Sequence, residues 1–232
     1  VRSLKELGLG PADAVSLRQK SRFTNFLTTV SKILQVPIPA VYRSAAARGM
    51  RKEALYPPVI VVGPEVLTGK KGKELRFLLG KSMAYFLPQH TLAGMYPVGQ
   101  LRTFLLAALT MVMPDVSQGG EPGVLGVQQR LESAVKRKDI ERLRTLAAAI
   151  SQREVGPNLH GWLKSVEKTA NHAGHLLCND LDVSVRMLKE EQDNGVRWSK
   201  LTLKDSIEDL ARYTVSDAFL ELRREVGAAI VE

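Results

Sequence analysis

The sequence predicts an α+β fold in which helices predominate and a small β-sheet lies near residues 40–63. Three observations predict it. Apolar residues recur at helical spacing through most of the 232 residues. The stretch "PPVIVVGP" (residues 57–64) is a β-branched run bounded by proline and glycine, long enough for a strand and too short for a helix. Prolines and glycines cut the remainder into segments of ordinary helix length.

Pro11 and Asp13 open a predicted helix that runs to about Leu34, with Leu17, Phe26, Leu27, Val30, Ile33 and Leu34 on its apolar side. "VPIP" (residues 36–39) stops it, because proline cannot continue the hydrogen-bond ladder. "AVYR" (residues 40–43) is a short predicted strand, and "PPVIVVGP" is the clearest one. After "EVLTGKKGKE" comes a helix with Leu75, Leu78, Leu79, Ser82 or Met83, and Phe86 as its stripe, closed by Pro88. Pro97 starts another, with Leu101, Phe104, Leu105, Ala108 and Val112 inward, ending at "MPD" (residues 113–115). "SQGGEPGVLG" (residues 117–126) reads as a flexible surface loop. Two helices follow at roughly 127–138 and 139–152, and a longer one begins at Pro157 and runs to about Cys178. Its predicted inner side carries Leu159, Trp162, Leu163, Val166, Ala170, Ala173 and Leu177. Helices at 180–190, 203–213 and 216–230 complete the chain, which is expected to form a single domain over residues 1–232, with residues 1–35 as either its own first helix or a preceding helical segment.

Composition bounds the function. One cysteine leaves no internal disulfide framework and fits a reducing, cytoplasmic setting, with Cys178 read as a small buried hydrophobe. The longest apolar run, "FLLAALTMVM" (residues 104–113), is about half of a membrane span and reads as a core helix. The start at Val1, with no basic and apolar leader behind it, suggests a fragment of a longer protein. Residues 1–100 hold 15 Lys and Arg against 5 Asp and Glu, whereas the remainder holds 18 against 19. A basic half suits an acidic protein partner or a nucleic acid. No nucleic-acid motif and no basic stripe interleaved with aromatics is present. The glycines and lysines of "GPEVLTGKKGKE" lack the spacing of a phosphate-binding loop.

One lysine stands out. In "FLLGKSMAYFLPQH" (residues 77–90), Lys81 interrupts an apolar helix, with Ser82 after it and Tyr85 one turn on. The strand, the turn and then a helix of the form L-G-x-x-x-x resemble the gluzincin metallopeptidases of the heat-shock-protease and CAAX-protease type, whose helix carries L-G-H-E-L-G-H. Leu79 and Gly80 match the L-G. Lys81 then stands at the first histidine, Ser82 at the glutamate and Tyr85 at the second histidine. The later "EKTAN" resembles the E-x-x-A-D motif that supplies the third ligand, with Glu167 and Ala170 kept and Asn171 in place of the aspartate. The resemblance spans roughly residues 40–190 and is strongest to degenerate domains attached to tetratricopeptide-repeat proteins of myxobacteria.

That resemblance implies a minimal zincin-like domain without its metal. Catalytic zinc takes three protein ligands and a water. A lysine ammonium has no lone pair, a phenol stays protonated at neutral pH, and serine is no carboxylate base. No cofactor and no zinc hydrolysis are therefore expected. Two placements of Lys81 are open: its ammonium replaces the cation and pairs with Glu167, with Tyr85 donating to Glu167 or Asn171, or it faces solvent beside Glu74. His172 and His175, at a spacing that can hold a metal, read as surface residues beside Lys164 and Lys168. The expected role is a catalytically inactive protein-interaction or scaffolding module of a larger bacterial protein. In active relatives the groove between sheet edge and helix takes an extended peptide as an added strand. Arg18, Lys20, Arg22, Lys70, Lys71 and Lys73 are the candidate surface for an acidic partner. A basic nucleic-acid-binding domain and a structural cap on a helical repeat array are the alternatives.

Overall fold

The computed structural model describes residues 3–113, 123–152, 158–195 and 201–227. They form two compact units, a division that the sequence had not marked: Val1–Met95 with Leu163–Glu232, and Tyr96–Trp162.

The first unit contains the sheet. Strands β1 (Ala40–Arg43), β2 (Met50–Glu53) and β3 (Val59–Val62) lie in the order β1-β3-β2. β1 runs parallel to β3, with Ala40 opposite Val59, and β2 runs antiparallel to it, with Met50 opposite Val62. The continuous apolar run of β3 makes it the central strand, buried on both faces. Ile60 and Val62 join Val41 and Met50 in the larger core, while Val59 and Val61 join Leu9, Ala47 and Leu55 on the other face. Leu4 and Leu7 pack onto that second face, and the Val15 amide donates to the Val41 carbonyl at 2.8 Å. The N-terminal residues are thus part of this unit.

The helix predicted from Pro11 begins later. Pro11–Asp13 is one 3-10 turn, and α1 (Arg22–Leu34) starts after Ser21, whose hydroxyl accepts from the Thr24 amide. "PEVLT" forms the short α2 (Pro64–Thr68). The next helix, α3 (Gly72–Ala84), is buried without interruption from Phe77 to Ala84, so its apolar stripe is in fact the whole circumference of a central helix. α1, β2, α7 (Leu159–Cys178) and α8 (Leu181–Asp193) surround it. α9 (Leu203–Thr214) and α10 (Asp217–Glu225) complete the unit.

The second unit holds α4 (Val98–Thr110), α5 (Val124–Ala134) and α6 (Arg137–Ser151). The most apolar run of the chain supplies the second half of α4, which packs on α5 and α6. Val124–Gly126, read as loop, are the first turn of α5. The predicted loop residues 117–122, Pro157 and residues 228–230 lie outside the described residues. Among the described residues no helix is long and apolar enough to cross a membrane.

Candidate functional site

Two glycines set the geometry between α3 and α7. A Cβ on Gly80 would come within 2.8 Å of the Ala173 carbonyl oxygen, and one on Gly174 within 2.7 Å of the Phe77 carbonyl oxygen. The two backbones therefore touch, and the Cβ of Lys81 lies beside Gly174. Glu167 and Asn171 sit on the same side of α7, two turns and one turn before that contact. β2 approaches from the sheet. Met50 and Lys52, alternate residues of one strand, both face α3.

The structure thus gathers Lys81, Ser82, Tyr85, Glu167 and Asn171 in one region, but it assigns the charges differently from the sequence. Lys81 is buried at 5% exposure, which removes the solvent-facing alternative. Its ammonium pairs with Glu191 of α8, and among the described residues no ion pair joins it to Glu167. Helical reach explains this: Ser184, Met187, Leu188 and Glu191 follow the inward spacing of α8, which delivers the carboxylate to α3. Glu167 is equally buried at 3% and acts on a second cation, Lys52. The Lys52 ammonium lies 3.9 Å from the centre of the Tyr85 ring. Burial lowers its pKa to about 8, with Glu191 and Glu167 opposing that shift and Lys81 adding to it. Two lysines and two glutamates therefore share this interior.

The remaining polar groups are weakly served. Among the described residues the Ser82 hydroxyl reaches the Met50 sulfur, at 3.9 Å. Asn171 is fully buried, and neither its amide oxygen nor its amide nitrogen has a hydrogen-bond partner among the described residues. Of the two acceptors expected for the Tyr85 hydroxyl, Glu167 or Asn171, the Asn171 amide is thus not the one used. Met50, Lys52, Lys81 and Ser82 are all buried.

Sequence reasoning missed Lys52, Met50 and Glu191. "MRKE" has little strand signal, so the face carrying Met50 and Lys52 was not read. The spacing from Ser184 to Glu191 was the available clue to the partner of Lys81. The inner side predicted for α7 is also turned, since Glu167, Asn171, Gly174 and His175 are buried along with Val166 and Ala170.

The histidines correct a second expectation. His175 is no surface residue; at 1% exposure it lies among α7, α8, α9 and α10. Its Nδ1 faces the Ser184 hydroxyl and its Nε2 the Thr214 hydroxyl, each at 2.9 Å, and its ring stacks on Phe219. Burial, reinforced by His172 and Arg223, lowers its pKa to about 4. His172 stacks on Tyr213 and bonds Asp209 at 2.8 Å. Among the described residues no group of three or more His, Cys, Asp or Glu side chains is placed to hold a metal ion. Cys178 is buried as expected, and burial raises its thiol pKa.

The basic surface is partly consumed within the fold. Lys70, just before α3, pairs with Glu190 of α8 at 2.5 Å, and Lys73 of α3 with Asp180, the N-cap of α8, at 2.9 Å. Arg186 returns a pair to Glu74 at 2.8 Å. Arg18, Lys20, Arg22 and Lys71 remain exposed and form no ion pair among the described residues.

Fold and site together define a mainly helical α+β unit built around a buried, charge-bearing helix. No protein-family model matches the chain, and no curated protein or solved structure matches it either.

Proposed function

We propose that the chain is a catalytically inactive, zincin-like domain that serves as a protein-interaction module of a larger bacterial protein. The observation that carries this reading is the buried ammonium of Lys81, paired with Glu191 on the helix where gluzincins hold zinc. A fixed internal cation compensates the carboxylates that a metal ion would otherwise neutralise. The donor set does not fit zinc: two ammonium groups, a phenol and an amide surround Glu167 and Glu191, and cationic neighbours oppose a metal. Serine at position 82 supplies no carboxylate base. Recognition falls on the exposed basic surface around Arg18, Lys20, Arg22 and Lys71.

Rebuilding the metal site tests the zincin-like part of this reading. In the variant K52M/K81H/Y85H, two imidazoles one turn apart join Glu167, and the opposing ammonium groups are gone. It is expected to bind zinc, measured by metal analysis after dialysis, while the unaltered chain binds none. A folded variant that takes up no zinc would remove the likeness to metallopeptidases. Stoichiometric zinc in the unaltered chain, or cleavage of a peptide by it, would remove the inactive reading.

A further inference from the structure

A half-open cleft of about 520 Å³ lies on the first unit, away from the buried charges. Its volume falls within the range of roughly 300–1,000 Å³ usual for ligand sites. Its floor is apolar: Phe26, Val30 and Ile33 from α1, Leu177 from the end of α7, and Val226 after α10. Among its described lining residues the charged ones are Lys73, which Asp180 already pairs, Arg76 and Arg223. Arg76 lies over the Phe26 ring at 4.8 Å and has no carboxylate partner among the described residues. A second cleft of about 320 Å³ shares Lys73 and Arg76 and continues along the start of α3 past Lys71 to Arg186. The single acid there, Glu74, is already paired with Arg186.

We propose that this pair of clefts seats an extended, acidic segment of a protein partner, with one bulky apolar side chain on the floor of the larger cleft and carboxylates along Lys71 and Arg76. The inference rests on the reading of the chain as an interaction module and names what that module holds. Two adjoining clefts form a track, which suits a polymer better than a compact molecule. The apolar floor asks for a hydrophobic anchor, and Lys71 and Arg76, which form no ion pair among the described residues, ask for negative charge beside it. Surface charge alone would accept any polyanion, whereas the floor adds selectivity for the anchor.

The test uses the full chain and a fluorescein-labelled, glutamate-rich peptide with a single central phenylalanine. Fluorescence anisotropy is expected to show saturable binding. Replacing that phenylalanine by alanine in the peptide should weaken it by about tenfold, the equivalent of about 1.4 kcal/mol. Arg76→Glu, at an exposed position, should weaken it at least as much. Thr29→Trp, which fills the floor from the exposed side of α1, should do so without changing the rim charge. Circular dichroism establishes that both variants are folded. Equal affinity for the alanine peptide, or undiminished affinity in both folded variants, would overturn the proposal. Mass spectrometry of the peptide separates the two levels. Intact, unbound peptide sinks the cleft assignment alone, whereas cleaved peptide sinks the inactive reading beneath it.

Discussion

Lys81 concentrates the energetics of the molecule in one ammonium group. Removing one member of a buried ion pair leaves the other charge desolvated and uncompensated, which costs about 3–5 kcal/mol, whereas replacing both by apolar residues is often neutral. Here Lys52 also stands near Glu191 and relieves part of that cost. Lys81→Met is therefore expected to lower the unfolding free energy by about 2–3 kcal/mol, read from the urea midpoint. The double variant K81M/E191M should recover most of the loss. If the single and double variants were equally destabilised, Lys81 would matter for packing and not for charge. Sequence alone flagged Lys81 correctly as anomalous, because a cation in an otherwise apolar run has few innocent explanations. It could not name Glu191, because Glu191 is one of two adjacent glutamates and helical phase alone separates them.

At the scale of the element, α3 and α7 meet through Gly80 and Gly174. Alanine is the better helix former by about 1 kcal/mol, and in open surroundings that preference decides the sign. Gly99, in α4, has nothing within 4 Å of the place a Cβ would take, so Gly99→Ala is expected to raise stability. Gly80→Ala and Gly174→Ala push a methyl group into a facing carbonyl, and overpacking of this kind costs about 1–3 kcal/mol. Each should lower the thermal midpoint despite the better propensity, and similar rises at all three positions would show that the helices part without cost. The same contrast explains what was legible beforehand. β3 was read because four β-branched residues in a row suit few other places. α3, α7, α8 and α9 were placed closely, since their apolar spacing is helical over their whole length. β2 was not read, because its charged residues are held in a strand by pairing with β3, a long-range fact absent from local sequence. The start of α1 was placed too early because Pro11 and Asp13 begin only a single turn.

For the whole first unit, its last four helices, α7 to α10, converge on His175. α7 carries the ring, α8 and α9 give it hydroxyls, and α10 lays Phe219 across it. Two histidines three residues apart suggested a polar surface because sequence could not foresee α9 and α10 folding back over them. That covering makes the junction sensitive to acid. The ring's folded pKa of about 4 lies below the ordinary histidine value near 6.5, so the unfolded chain takes up the proton first. Stability from the neutral ring is complete above about pH 6.5 and declines as pH falls towards 4, where the folded form also protonates. A difference of this size corresponds to about 3 kcal/mol. His172, also lowered by burial, acts in the same direction, while the depressed carboxyl of Asp180 beside Lys73 adds its own loss at lower pH. Urea unfolding followed by circular dichroism at pH 7 and at pH 4.5 is therefore expected to show a marked drop in midpoint for the unaltered chain. His175→Gln should be less stable at pH 7 and lose less on acidification, because the group that titrates in this window is gone. Parallel losses in the two proteins would mean that the helices close over His175 without excluding its proton, and the junction would then owe its stability to packing on Phe219 alone.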